Sequence, residues 1–145
     1  MQIAALLYRL SIAFWTGGTA LFTFILTPML FKALSRDQAG QIVGILFPGY
    51  FRWGLACGAV ALICRLIMRG TALVPACLLV VMLALTSFQA FSIEPRAAAL
   101  KRQIPSFDTT PKEHPLRKEF AKLHGISAGC NLAVVAGGIA LVIMP

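Results

Sequence analysis

The sequence predicts an all-α protein, an integral membrane four-helix bundle forming one domain over residues 1–145. Three observations predict it. Hydrophobic residues make up 59% of the chain and charged residues 12%, where a water-soluble domain carries about 25% charged residues. Mean hydropathy is +0.83. The apolar residues fall into four long blocks, and the charges lie between them. A soluble globular domain is excluded, because too little charge is left to cover a water-facing surface. The net charge of +8 does not point to nucleic acid either. A nucleic-acid face pairs basic residues with stacking aromatics, and no such stretch is present.

The first block, Leu10–Phe31, runs 22 residues without a charge or a histidine. That meets the roughly 20 residues a helix needs to cross the hydrocarbon core. It is longer than the roughly 7–15 residues of a signal-peptide core. It ends at Phe31-Lys32 with no small-residue cleavage site, so it reads as a span. The second block, Phe47–Met68, holds Arg52 and Arg65 near its ends, where long side chains can reach the headgroups. The third, Gly70–Ile93, has 24 uninterrupted residues. A polar loop, Glu94–His124, follows. Its start, Glu94–Gln103, continues the third helix, and Ser106–Pro115 is turn-rich. Proline suits the first turn of a helix, so a helix begins at Pro115. Leu116, Phe120 and Leu123 form an apolar stripe on it, and it runs into the fourth block, Gly125–Pro145. The helices are thus expected at about 3–31, 42–68, 70–103 and 115–144.

Four spans put both termini on one side of the bilayer. The other side carries Lys32, Arg36, Arg52, Arg96, Lys101, Arg102, Lys112, Arg117, Lys118 and Lys122; the terminal side carries Arg9, Arg65 and Arg69. The excess of Lys and Arg places the loop between helices 3 and 4 in the cytoplasm and both termini on the non-cytoplasmic side. A multi-pass location follows, in the inner membrane for a bacterial chain. No internal repeat suggests an inverted-repeat transporter within one chain.

Helices in lipid gain little from apolar burial and associate through close contact of small residues. Gly125, Gly129, Ala133 and Gly137 form a ridge along span 4, and Gly54 and Gly58 repeat that spacing on span 2. A tight bundle is expected, with one ridge available for a homo-oligomer or another membrane-protein partner.

Polar groups inside a span are costly and default to functional candidates. His124, Ser127 and Asn131 share one face of span 4, and Gln89 lies on span 3. Span 1 carries Thr16, Thr19, Thr23 and Thr27. At the loop side, the ends of the spans bring Pro28, Pro48, Tyr50, Glu94, Pro95, Arg96 and His124 to one depth, with prolines interrupting helices. A cytoplasm-facing pocket is expected there, with Glu94, Arg96, His124, Ser127, Asn131, Pro48 and Tyr50 as binding candidates. The rival reading is a helix-end network in which Glu94 and Arg96 pair and cap. Cys57, Cys64, Cys77 and Cys130 all fall within spans, where buried thiols usually behave as small hydrophobes. Their alternative is a soft-metal path. Two histidines, one of them in the loop, disfavour haem. No phosphate loop, nucleophile–base pair or paired carboxylate argues for an enzyme, and no resident cofactor is expected.

The loop-side motifs resemble the transmembrane protein 205-like family. The matching residues are Leu30-Phe31-Lys32-Ala33-Leu34, Gly40, Leu46-Phe47-Pro48, Tyr50-Phe51 and Cys57. Further on come Glu94-Pro95-Arg96, Ala98, Leu116-Arg117, Phe120, His124-Gly125, Ser127 and Cys130-Asn131-Leu132. The resemblance implies a small four-helix integral membrane protein. A member of that family is associated with resistance to platinum drugs, which makes Cys57 and Cys130 candidate ligands of a soft metal. A remoter likeness, in size and first-helix pattern, is to haem-linked oxidase and copper-resistance membrane proteins.

The first functional expectation is transport or permeation of a small solute or metal ion through an oligomer. The second is a non-transporting accessory or scaffold subunit, and the third a haem or quinone redox module.

Overall fold

The computed structural model describes residues 1–68 and 72–144. Arg69, Gly70 and Pro145, which the sequence places at span ends, lie outside them. Among the described residues four helices are long and apolar enough to cross a membrane: α1 Gln2–Ala33, α2 Arg36–Ile67, α3 Leu73–Gln103 and α4 Pro115–Ile143. The chain is a multi-pass integral membrane protein. Successive helices run antiparallel, and α4 closes the ring by packing on α1.

α2 begins at Arg36, six residues before the expected 42. Ser35 accepts a hydrogen bond from the Gln38 amide, and the Gln38 side chain accepts one from the Ser35 amide. This reciprocal cap satisfies two otherwise unpaired N–H groups, so the helix can start among polar residues well outside the apolar block. Asp37 adds a negative charge in the first turn, where the helix dipole favours it.

The prolines do not interrupt their helices as the sequence reading expected. Pro48 sits inside the continuous α2. Pro28 and Pro95 are each preceded by a π-helical stretch, Leu21–Leu26 in α1 and Gln89–Ile93 in α3. In both, the residue before the proline donates its N–H five residues back, Thr27 to Phe22 and Glu94 to Gln89. The widened turn makes room for a ring that would otherwise press on the carbonyl four residues earlier, so the helix continues.

The core lies toward the terminal end of the bundle. Ile12, Trp15, Leu79, Met82 and Val134 are each at most 1% exposed. Trp15 fits a notch made by the glycines of α2: a Cβ on Gly54 would come within 2.9 Å of its Nε1. Met82 lies over Gly137, and Thr16 packs directly on Gly138. The expected ridge on α4 divides. Gly137 packs inside the chain, whereas Gly125, Gly129 and Ala133 are exposed, with no side chain near either glycine.

Candidate functional site: a basic cavity at the loop end

The helices are 29–32 residues long. At about 1.5 Å per residue they outreach a hydrocarbon core of about 30 Å. Arg65 marks the last turn of α2 at the terminal end, whereas the loop-side ends carry Lys32, Arg36, Lys101, Arg102 and Arg117, so most of the excess stands on the loop side. There the bundle does not close. A cavity of about 580 Å³ opens between Phe31 and the facing turns of α2, α3 and α4. Phe47, Ile93 and Ser127 line its inner part, and Arg36, Lys101, Arg102 and Arg117 its outer part.

Glycine shapes one wall. Lys101 extends from α3 across Gly40 and Gly44 of α2, and its Nζ donates to the Gly40 carbonyl at 2.5 Å. Pro48, four residues beyond Gly44, has no N–H to offer the Gly44 carbonyl. The α3–α4 loop covers the outer edge. Arg117 donates to the Thr110 carbonyl and lies over the Phe107 ring, 5.4 Å from its centroid. Phe107 meets Phe120 edge to face at 4.8 Å.

The loop is tied to α2 by two carboxylates. Asp108 accepts from the amides of Arg36 and Asp37, at 3.0 and 3.3 Å. Asp37 in turn accepts from Ser106 Oγ at 2.6 Å and the Phe107 amide at 2.7 Å. Each segment thus supplies hydrogen-bond donors for the other's carboxylate.

Beneath the cavity lies a layer of buried polar groups. Ser127 donates to Gln89 Oε1 at 2.8 Å, and Gln89 is 1% exposed. One turn deeper, Asn131 donates to Thr23 Oγ1 at 3.2 Å and accepts from the Tyr50 hydroxyl at 3.0 Å. Asn131 therefore joins α4 to α1 and α2, while Ser127 joins it to α3. Phe22 stacks on Tyr50 at 4.4 Å beside them.

Of the residues singled out in the sequence, Glu94, His124 and Ser127 line the cavity. Tyr50 and Asn131 belong to the layer below, and Arg96 and Pro48 are exposed and outside it. Cys57 is buried in the core beside Trp15 and Ala61, and Cys130 is partly exposed. Among the described residues no group of three His, Cys, Asp or Glu side chains is placed to hold a metal ion. Sequence reasoning missed Arg36, Lys101, Arg102 and Arg117 as a set, having read them as markers of topology. Helical spacing held a signal: Glu94 and Lys101 are seven apart, as are Arg117 and His124, so each pair shares a helix face.

Residues 10–106 match the family described as "Domain of unknown function (DUF4149)". The chain belongs to that family. The match takes in α1 from residue 10, all of α2 and α3 and the start of the loop, and so three of the four helices around the cavity. An uncharacterized protein of Aquifex aeolicus (strain VF5) is 32% identical over 124 residues, covering 86% of this DUF4149 chain and 83% of that relative. No solved structure matches it.

Proposed function

We propose that the protein takes a small solute into the cavity at the loop end of its bundle, as the entry step of permeation through an oligomer. The observation that carries this reading is the cavity itself, of about 580 Å³. Its size lies within the range of small-molecule sites, and its apolar walls carry a few convergent polar groups, as such sites do. A second cavity of about 670 Å³, lined by Tyr8, Arg9, Arg65 and Leu141, opens at the terminal end, and between the two the bundle is filled by Trp15, Leu79 and Met82. One chain is therefore a receptor for the solute rather than a pore, and an onward path falls to a subunit interface. The ten-to-three distribution of Lys and Arg orients the cavity toward the cytoplasm. In a bacterial cell the membrane would be the inner one.

The test is flux in proteoliposomes, with copper, platinum complexes, protons, common ions and amphipathic carboxylates and phosphates as first solutes. Ala98→Trp, which puts a bulky ring on a cavity-lining position, should abolish flux while the protein remains folded. Flux of none of these solutes would count against permeation. If His124→Ala and Glu94→Gln both leave flux unchanged, the helix-end network reading replaces the entry site. A soft metal as solute is brought in by the resemblance to the transmembrane protein 205-like family and rests on Cys57 and Cys130. Metal content of the purified protein, compared with a Cys57→Ser/Cys130→Ser variant, checks that directly.

A second reading, an accessory subunit without transport, is favoured by the exposed row Gly125, Gly129 and Ala133 on α4. Small residues facing lipid leave room for another helix. A hetero-complex that survives gentle detergent extraction and is lost in Gly129→Leu would support it.

A further inference from the structure

We infer that the cavity selects an amphipathic anion, a carboxylate or phosphate head on an apolar tail. The inference rests on the cavity being a solute site and adds the chemistry of the solute. Four cations, Arg36, Lys101, Arg102 and Arg117, reach it from three different helices, against one carboxylate in its wall, Glu94. Membrane orientation accounts for Lys and Arg anywhere on the loop side. It does not account for four of them converging on one opening. On α4, Lys118 and Lys122 are exposed and lie outside the cavity that Arg117 lines.

The acidic groups nearest the opening are already engaged. Asp37 and Asp108 take hydrogen bonds from Ser106 and from the amides of Phe107, Arg36 and Asp37. Lys101 is committed to the Gly40 carbonyl and Arg117 to that of Thr110. Arg36 and Arg102 keep planar guanidinium donors for an oxyanion, whose geometry they match two bonds at a time. Below them the wall turns apolar, with Val43, Phe47, Ile93 and Phe120. A bare oxyanion would leave that surface unused, and a cation would be repelled at the mouth. A head-and-tail anion fills both parts, with its head at the depth where water and headgroups meet the bundle.

The experiment is native mass spectrometry of the full chain released from nanodiscs of zwitterionic lipid. The probes are dodecyl phosphate, laurate, dodecanol, dodecyltrimethylammonium, inorganic phosphate and phosphatidic acid. Dodecyl phosphate or laurate should give one adduct per chain, at concentrations about tenfold below those needed for the neutral and cationic amphiphiles. Arg36→Gln/Arg102→Gln should weaken that adduct about tenfold. Arg96→Gln/Lys118→Gln, which removes the same charge elsewhere on the loop side, should not. An adduct with phosphatidic acid as strong as with dodecyl phosphate assigns the anion to the bilayer, and a preference for the single-chain probes assigns it to the aqueous side. Either supports the inference. It is overturned if inorganic phosphate binds as well as the amphiphiles, or if both double variants weaken binding equally. Dodecanol or the cationic amphiphile binding as tightly, and lost in Ala98→Trp, overturns the anion and leaves the solute site standing. If Ala98→Trp removes no adduct of any probe, both readings fall.

Discussion

Trp15 of α1 lies so close over Gly58 of α2 that a Cβ on that glycine would come within 2.6 Å of its ring. The same Cβ would lie 2.5 Å from Leu83 Cδ2 on α3. Trp15 is 1% exposed and cannot step aside. Gly58→Ala should therefore destabilise the bundle by about 1–3 kcal/mol through overpacking. Gly129→Ala, which meets nothing within 4 Å, should not. The midpoints of thermal unfolding in nanodiscs compare the two, and equal shifts would show that the notch is not tight.

Ser127 gives its hydroxyl proton to a glutamine that is almost wholly buried. Ser127→Ala should cost roughly 1–3 kcal/mol, because Gln89 Oε1 is left without a partner. The double variant Ser127→Ala/Gln89→Leu should recover much of that loss, since both ends of the bond are then apolar. A double-mutant cycle read by denaturant unfolding checks this, and additive losses would mean that the two residues act separately.

The clasp between Asp108 and the first turn of α2 holds the loop over the cavity. Asp108→Ala removes a carboxylate from two backbone amides, an effect of about 1 kcal/mol for a helix-start acceptor. Because opening of this segment is local, protease should cut 104–114 roughly fivefold faster, with the global unfolding midpoint little changed. Thr109→Ala serves as the control. Equal cutting in both variants would show that the clasp does not govern the loop.

The proposed orientation is tested with single cysteines on a background in which Cys57, Cys64, Cys77 and Cys130 are replaced. Thr109→Cys should react with a membrane-impermeant maleimide only after the cells are permeabilised. Gln2→Cys should react in intact cells. The reverse pattern would invert the protein in the membrane.

Much of the fold was legible because long charge-free blocks and their flanking cations are a strong signal. The number of helices follows from it, and the start of α4 at Pro115 from the preference of proline for a helix's first turn. The start of α2 did not, because hydropathy is blind to the cap that Ser35 and Gln38 make among polar residues. The prolines misled for a related reason: a ring that ends an α-helical ladder can be absorbed by a wider turn, and nothing in the composition of Leu21–Leu26 announces one. At the site, Glu94, His124 and Ser127 were reachable from span-end arithmetic. Lys101 was not, because its place over Gly40 and Gly44 depends on how α3 faces α2. Arg36 was not, because hydropathy alone gives no reason to begin α2 before about residue 42, and the cap at Ser35 is what brings it in.

The π turns have a consequence for comparing this chain with its relatives. Each holds one residue more than an α-helical ladder needs, and one residue is about 100° of rotation. A single-residue deletion within 21–26 or 89–93 would return the turn to α-helical geometry and leave the residues on both sides near their places in the bundle. Elsewhere in the same helices such a deletion would drag buried side chains through the bundle. Length differences inside the spans of related proteins should therefore gather at these two segments. An alignment that forbids gaps within the first and third helices would set Phe31 or Glu94 against the wrong neighbours while still pairing Trp15 correctly.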